Sequence, residues 1–126
     1  MKSTRGFSSS ILDAVRKGNV IGICAGSKPH RVIGIWAVVV DGRIFVRSWS
    51  VSRGGWYRAF LDEPRGTVYI NDRPFAIRAV RTRSERVKDA VDSAYEEKYH
   101  TPGSVKYVKD LKRTRSRATT LELIRV

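Results

Sequence analysis

The dipeptide Asp41-Gly42 narrows the fold more than any other feature of the chain. Two β-rich runs, Arg31 to Val40 (RVIGIWAVVV) and Arg43 to Trp49 (RIFVRSW), meet there with nothing else between them. A two-residue link that tolerates positive φ marks a tight antiparallel hairpin, because its backbone twist matches that of the flanking strands. Alternation then places Ile44, Val46 and Ser48 on one face of the second strand and Arg43, Phe45, Arg47 and Trp49 on the other. The first run is apolar on both faces, as a central strand covered on both sides would be.

The remaining elements follow from local chemistry. Ser10 and Asp13 form a capping box before ILDAVRKG, predicting a short helix with Ile11, Leu12 and Val15 inward and Gly18 at its end. Asn19 to Ala25 reads as a strand and Gly26 to His30 as a turn. Trp56 to Glu63 can make about two helical turns before Pro64. Gly66 to Ile70 and Arg73 to Arg81 form a second hairpin around Asn71-Asp72. Thr82 and Glu85 predict a capping box for the longest helix, Arg83 to about Tyr99, with Val87, Ala90, Val91, Ala94, Tyr95 and Tyr99 at helical spacing. A short helix is expected near Val105 to Leu111, and RATTLELIRV alternates as a closing strand. The fold class is α+β: a mostly antiparallel, barrel-like sheet of about six strands with flanking helices.

At 126 residues and 41% hydrophobic content the chain is expected to be a single domain, 1–126, with residues 1–9 disordered. The lone Cys24 lies in the apolar run VIGICA, where an inert buried thiol is expected, and one cysteine suits a reducing cytoplasm. The longest apolar run, Ile35 to Val40, is far too short to span a bilayer, and the reading is a cytoplasmic protein with no membrane partner. A formal charge of +13 favours polyanionic partners. The excess is spread over both halves, and only residues 104–117 hold a dense basic run. There Lys106, Lys109, Lys112, Arg113, Arg115 and Arg117 could meet nucleic acid or form a solvated face.

No metal site is expected: His30 and His100 are isolated, and Walker, GxGxxG and GxSxG motifs are missing. Asp62-Glu63 and Glu96-Glu97 have basic neighbours and read as solvated helix faces, so no catalytic residue is assigned. The densest functional signal is FVRSWSVSRGGWYRAF, Phe45 to Phe60. Arg47, Arg53 and Arg58 supply guanidinium forks, Ser48, Ser50 and Ser52 supply hydroxyls, and Gly54-Gly55 lets backbone amides approach an anion. Trp49, Trp56 and Tyr57 offer flat faces. A phosphate or nucleotide site, a structural loop with core aromatics, and a single-stranded nucleic-acid surface all use such residues.

The order of these pieces adds to that reading. Trp36 to Ser48, Ser52 to Gly55, Trp56 to Arg58, Pro64 and Thr67 to Ile70 resemble the hairpin, loop, short helix and strand of the flavin-nucleotide-binding split β-barrel superfamily. That superfamily includes pyridoxamine-phosphate-oxidase-like and deazaflavin-dependent nitroreductase-like proteins. More narrowly, VRS, GGWYR, AYEEKY and RATTLELI are similar to a small family of unknown function within it, of nearly this length. The resemblance implies a split barrel, a homodimer, and an FMN or deazaflavin coenzyme that would carry any oxidoreductase chemistry. It implies phosphate contacts at Arg47 and Ser48, close backbone approach at Gly54 and Gly55, and a pocket wall at Trp56 and Arg58. Lys28 and Arg31 fall where the deazaflavin branch has a basic phosphate-gripping motif. A basic nucleic-acid module and a barrel without cofactor that serves as an interaction protein are the alternatives.

Overall fold

The computed structural model describes residues 6–26, 32–50 and 55–126. In chain order the elements are α1 (Ser9–Lys17), β1 (Ile21–Ala25), β2 (Ile33–Ile35), β3 (Ala37–Val40), β4 (Arg43–Val46) and α2 (Trp56–Asp62). These are followed by β5 (Arg65–Ile70), β6 (Arg73–Arg81), α3 (Glu85–Lys98), α4 (Val105–Leu111), α5 (Thr114–Arg117) and β7 (Leu121–Arg125).

Both hairpins form where their turn residues direct. Asp41 and Gly42 take φ values of 52° and 72°, and Val40 pairs with Arg43 across them. Asn71 and Asp72 take 51° and 65° between β5 and β6. Positive φ at both central positions gives the turn the twist of the strands it joins. The strands form one antiparallel sheet of order β2-β1-β5-β6-β7-β4-β3. Its two terminal strands, β2 and β3, are consecutive in the chain and separated only by Trp36. The Ile33–Val40 segment therefore pairs with β1 through its first half and with β4 through its second, and the sheet nearly closes into a barrel.

This changes one expectation. The run expected as one central strand from Arg31 to Val40 is, over its strand residues Ile33–Val40, the closing segment, broken at Trp36; Arg31 lies outside the described residues. The break leaves carbonyls that no strand pairs, and a buried carbonyl needs a donor. Side chains of α3 supply them: Tyr95 Oη donates to Trp36 O at 2.9 Å and Lys98 Nζ to Ala37 O at 2.6 Å. Tyr99 Oη donates to Asn19 O at 2.6 Å, just before β1.

Two apolar clusters result. The barrel interior gathers Ile21, Ile23, Ile35, Ile44, Val46, Val68, Ile77, Leu121 and Leu123 with α1 residues Ile11, Leu12 and Val15. An outer cluster of Val38, Phe45, Val91, Tyr95, Tyr99, Val108 and Leu111 lies between β3–β4 and helices α3 and α4. The alternation along β4 predicted this division, since Ile44 and Val46 go inward and Phe45 outward.

Helix starts differ slightly from the sequence reading. The N-cap of α1 is Ser8, whose hydroxyl accepts from Ile11 N, and that of α3 is Ser84, which accepts from Val87 N. Each cap lies two residues from the expected one, Ser8 from Ser10 and Ser84 from Thr82, and all four are residue types that cap helices, so composition alone does not choose between them. Of residues 1–9, expected to be disordered, 1–5 lie outside the described residues; Phe7 packs edge-on against Phe75 at 5.8 Å and Ser8 caps α1. The basic stretch before β7 contains α5, a short helix for which the sequence gives no separate signal.

Candidate functional site

The predicted site residues belong to the connection from β4 to α2 and to the connection after β1. Register puts both at one end of the barrel. The C-terminal end of β1 pairs Ala25 with Gly66, the neighbouring Arg65 pairs with Arg78, and Arg81 pairs with Leu121, which pairs with Val46 at the end of β4. Helix α2 is seated at this end by Phe60. A Cβ on Gly66 would come within 2.4 Å of Cys24 O and 2.8 Å of the Phe60 ring, so only glycine lets the aromatic lie this close to β5.

Arg47 is where sequence and structure differ most. It is 2% exposed, on the outer face of β4, and its guanidinium is surrounded by protein acceptors. Nε donates to Thr120 Oγ1 at 2.8 Å, Nη1 to Asp92 Oδ1 at 2.5 Å and to Leu111 O at 2.9 Å, and Nη2 to Lys88 O at 2.9 Å. One side chain thus ties β4 to α3, to the end of α4 and to the residue before β7. A guanidinium so engaged is not available to a solvent-borne phosphate, and the expected phosphate contact at Arg47 is corrected to an interior strut. The burial requires a fully satisfied fork, since an unpaired charge at this depth would be strongly unfavourable.

Ser48 is likewise buried. Its N–H donates to Thr119 Oγ1 at 2.8 Å, its carbonyl accepts from Ser116 Oγ at 2.8 Å, and its hydroxyl donates to Ser50 O at 2.6 Å. These bonds fasten the exit of β4 to the α5–β7 turn, and they replace the ladder that ends at Val46. The role inferred for Ser48 is therefore also structural.

The second half of the predicted constellation is accessible in part. Gly55 is the N-cap of α2, Trp56 is half-buried against the barrel core, Tyr57 is buried and Arg58 is exposed. Trp56 meets Tyr57 and Phe60 edge-on at 6.4 and 6.2 Å. Lys28, Arg31, Arg53 and Gly54 lie outside the described residues. Of the expected site residues that are described, Gly55 and Trp56 are thus partly exposed and Arg58 exposed, whereas Arg47 and Ser48 are buried and bonded within the protein.

The basic stretch is partly neutralised by α3. Arg117 reaches Asp89 at 2.8 Å, Glu85 at 3.3 Å and Asp92 at 3.4 Å, Lys112 pairs with Glu96, and Arg113 lies 3.5 Å from Asp110. Lys106, Lys109 and Arg115 are exposed and carry no ion pair among the described residues. Lys106 lies 5.1 Å over the ring of Tyr107, which belongs to an aromatic group that the sequence reading did not join. Trp36 stacks on Tyr99 at 4.0 Å and meets Trp49 and Tyr107 edge-on at 5.5 and 6.2 Å. Trp49 and Tyr107 remain 43% exposed. Burial pushes the Tyr95 and Tyr99 hydroxyls well above the ordinary tyrosine value, so both stay protonated donors, Tyr95 to Trp36 O in the closing segment and Tyr99 to Asn19 O just before β1.

Fold and site together define a small α+β protein built on a nearly closed antiparallel barrel, with accessible aromatic and basic groups at one end. The chain belongs to the bacterial family described as "Uncharacterized protein conserved in bacteria (DUF2255)", which matches residues 15–123. Among solved structures it is similar to the conserved hypothetical protein Rv2991 from Mycobacterium tuberculosis. That match has a TM-score of 0.62 and 17% identity, over 100% of this chain and 83% of the other, and is a likeness of fold. No curated protein matches the chain by sequence. Among the described residues, no helix is long and apolar enough to cross a membrane.

Proposed function

We propose that the protein binds a flavin-type nucleotide, FMN or a deazaflavin coenzyme, as a homodimer, and acts through it as an oxidoreductase. The observation that carries this reading is positional. The connections after β1 and after β4, which hold the residues that resemble a phosphate grip, both leave the barrel at one end, beside α2. Arg58 would meet ligand charge and Trp56 would present a flat face, while Arg47 and Ser48 fix the frame on which that end is built. The coenzyme would supply the redox chemistry. Titration of the purified protein with FMN and with a deazaflavin, followed by fluorescence, tests this directly. Arg58→Ala is expected to weaken binding about tenfold, the loss of roughly one charge-assisted contact, with the melting temperature unchanged. Absence of binding by either coenzyme would end the reading.

A second reading rests on the exposed Lys106, Lys109 and Arg115 together with the exposed Trp49 and Tyr107, Lys106 lying over the Tyr107 ring, a combination suited to single-stranded nucleic acid. Ion pairing within the fold lowers the number of cations it can offer. If only three neutralise phosphates, log K against log salt should have a slope near about −2, whereas all six basic residues of the stretch would give roughly −4.

A further inference from the structure

Across the described strands, arginine stands directly opposite arginine once: Arg65 at the start of β5 pairs with Arg78 on β6. Gly66 shows which way they point. A Cβ there would meet Phe60 of the core, so its neighbours Arg65 and Thr67 face outward, as do their partners Arg78 and Ala76. The backbone beneath is held on both sides: Gly26 N donates to Arg65 O at 2.7 Å, Ala79 N donates to Pro64 O at 2.8 Å, and Arg78 pairs with Ile124 of β7. Both arginines are exposed. Like charges so placed, with Cβ atoms about 5 Å apart, repel one another unless a counter-charge intervenes. All twelve acidic residues of the chain lie among the described residues, and none forms an ion pair with Arg65 or Arg78. Glu122, on the outer face of β7, is held by Arg43 through two bonds of 3.0 and 2.8 Å, and Glu63, two residues before Arg65, makes no ion pair. Two other arginines of these strands have a partner of a different kind, since Arg73 and Arg125 lie 5.4 and 5.2 Å from the Phe75 ring. The Thr67 hydroxyl, next in the outward row, bonds to nothing among the described residues.

We propose that Arg65, Arg78 and Thr67 form a binding site for a phosphate monoester on the outer face of β5 and β6. Two guanidinium forks and a hydroxyl suit the terminal oxygens of a phosphate. A monoester, whose second ionisation lies near about pH 6, carries at neutral pH the two negative charges that offset the pair. Ala76, opposite Thr67, leaves the space above it open, and the next outward pair, Tyr69 and Pro74, offers a shelf for the organic part of the ligand. An opposed pair that repels in the free protein and is neutralised only by ligand is a local conflict of the kind that binding sites retain. The proposal does not rest on the nucleotide reading, whose residues are Trp56 and Arg58 on α2, and inorganic phosphate alone tests it.

The test follows the arginine Nε–Hε signals of the full chain by nuclear magnetic resonance at neutral pH and low ionic strength, with inorganic phosphate as the probe and chloride at matched ionic strength as the control. Two signals, assigned by their loss in Arg65→Gln and Arg78→Gln, should shift together and saturate with one dissociation constant. The signals of the exposed Arg73 and Arg115 should follow ionic strength alone. Either substitution should weaken phosphate at least about tenfold, the loss of one charge-assisted contact, and dimethyl phosphate, a monoanion, should bind wild type more weakly than phosphate by a similar factor. Thermal unfolding supplies a readout that a purely structural arginine would not give. Without phosphate, Arg65→Gln should melt no lower than wild type, because the repulsion is relieved, whereas at saturating phosphate it should melt lower. Shifts at Arg65 and Arg78 that fail to saturate, or equal affinity for dimethyl phosphate, would overturn the proposal.

Discussion

The barrel interior and the layer between β3–β4 and helices α3 and α4 are both buried, but they are held together by different physics. The interior is aliphatic and aromatic, and its attraction is non-directional. The outer layer combines Val38, Phe45, Val91 and Leu111 with Arg47, Tyr95 and Tyr99, of which Arg47 donates to carbonyls of α3 and α4 and the two tyrosines to carbonyls at Trp36 and Asn19 beside the strands. An apolar core of suitable volume accepts related side chains, whereas a bonded network accepts only the donors that fit it. The position of α3 on the sheet is thus specified by hydrogen bonds more than by area.

Substitutions can break that contrast. Arg47→Met should have the largest effect, destabilising by about 3–5 kcal/mol in urea denaturation, because Asp92 loses the nearer of its two arginine partners while two backbone carbonyls and the Thr120 hydroxyl lose a donor. Arg47→Lys should recover little, since an ammonium cannot reproduce a fork that reaches four acceptors. Tyr95→Phe should come next, at about 1–3 kcal/mol, leaving Trp36 O buried and unpaired. Ile23→Val, in the interior, should lose only about 1 kcal/mol. If the interior change proves as severe as Arg47→Met, the distinction between the two regions fails.

The smallest effect is in pH. Native Lys98 binds fewer protons than an unfolded lysine between about pH 8 and 10.5, so its contribution to stability rises with pH through that window. Tyr95 and Tyr99 act in the opposite sense above pH 10, where the unfolded chain ionises first and native stability falls. Unfolding curves recorded from pH 7 to 11 should therefore rise and then decline. Lys98→Met should remove the rise and retain the decline.

What the sequence revealed depended on the range of the interaction concerned. Asp41-Gly42 and Asn71-Asp72 direct their hairpins because turn chemistry acts within four residues. Helices α2 and α3 were legible from periodicity and from Pro64 and Pro102. The break at Trp36 was not, because an apolar run looks the same whether it crosses the middle of a sheet or bends to close it. Arg47 was misread for a related reason: its four acceptors lie on residues 41 to 73 positions away, and beside Ser48 and the glycines it resembles a ligand contact. Lys98 gave no signal, since both of its carbonyl partners are backbone groups.

The place of β7 has a consequence for how the chain assembles during synthesis. Of the seven strands it is the last in chain order, yet it lies between β6 and β4, and Arg43 at the start of β4 reaches Glu122 across 79 residues. A nascent chain lacking Leu121–Arg125 has two separate sheets, β2-β1-β5-β6 and β4-β3, with the facing sides of β6 and β4 open. Such sides are templates for pairing with other chains. The interval between translation of β6 and insertion of β7 is therefore the period of greatest aggregation risk, and the arginines at 78 and 81 on β6 stand where positive charge would discourage intermolecular pairing.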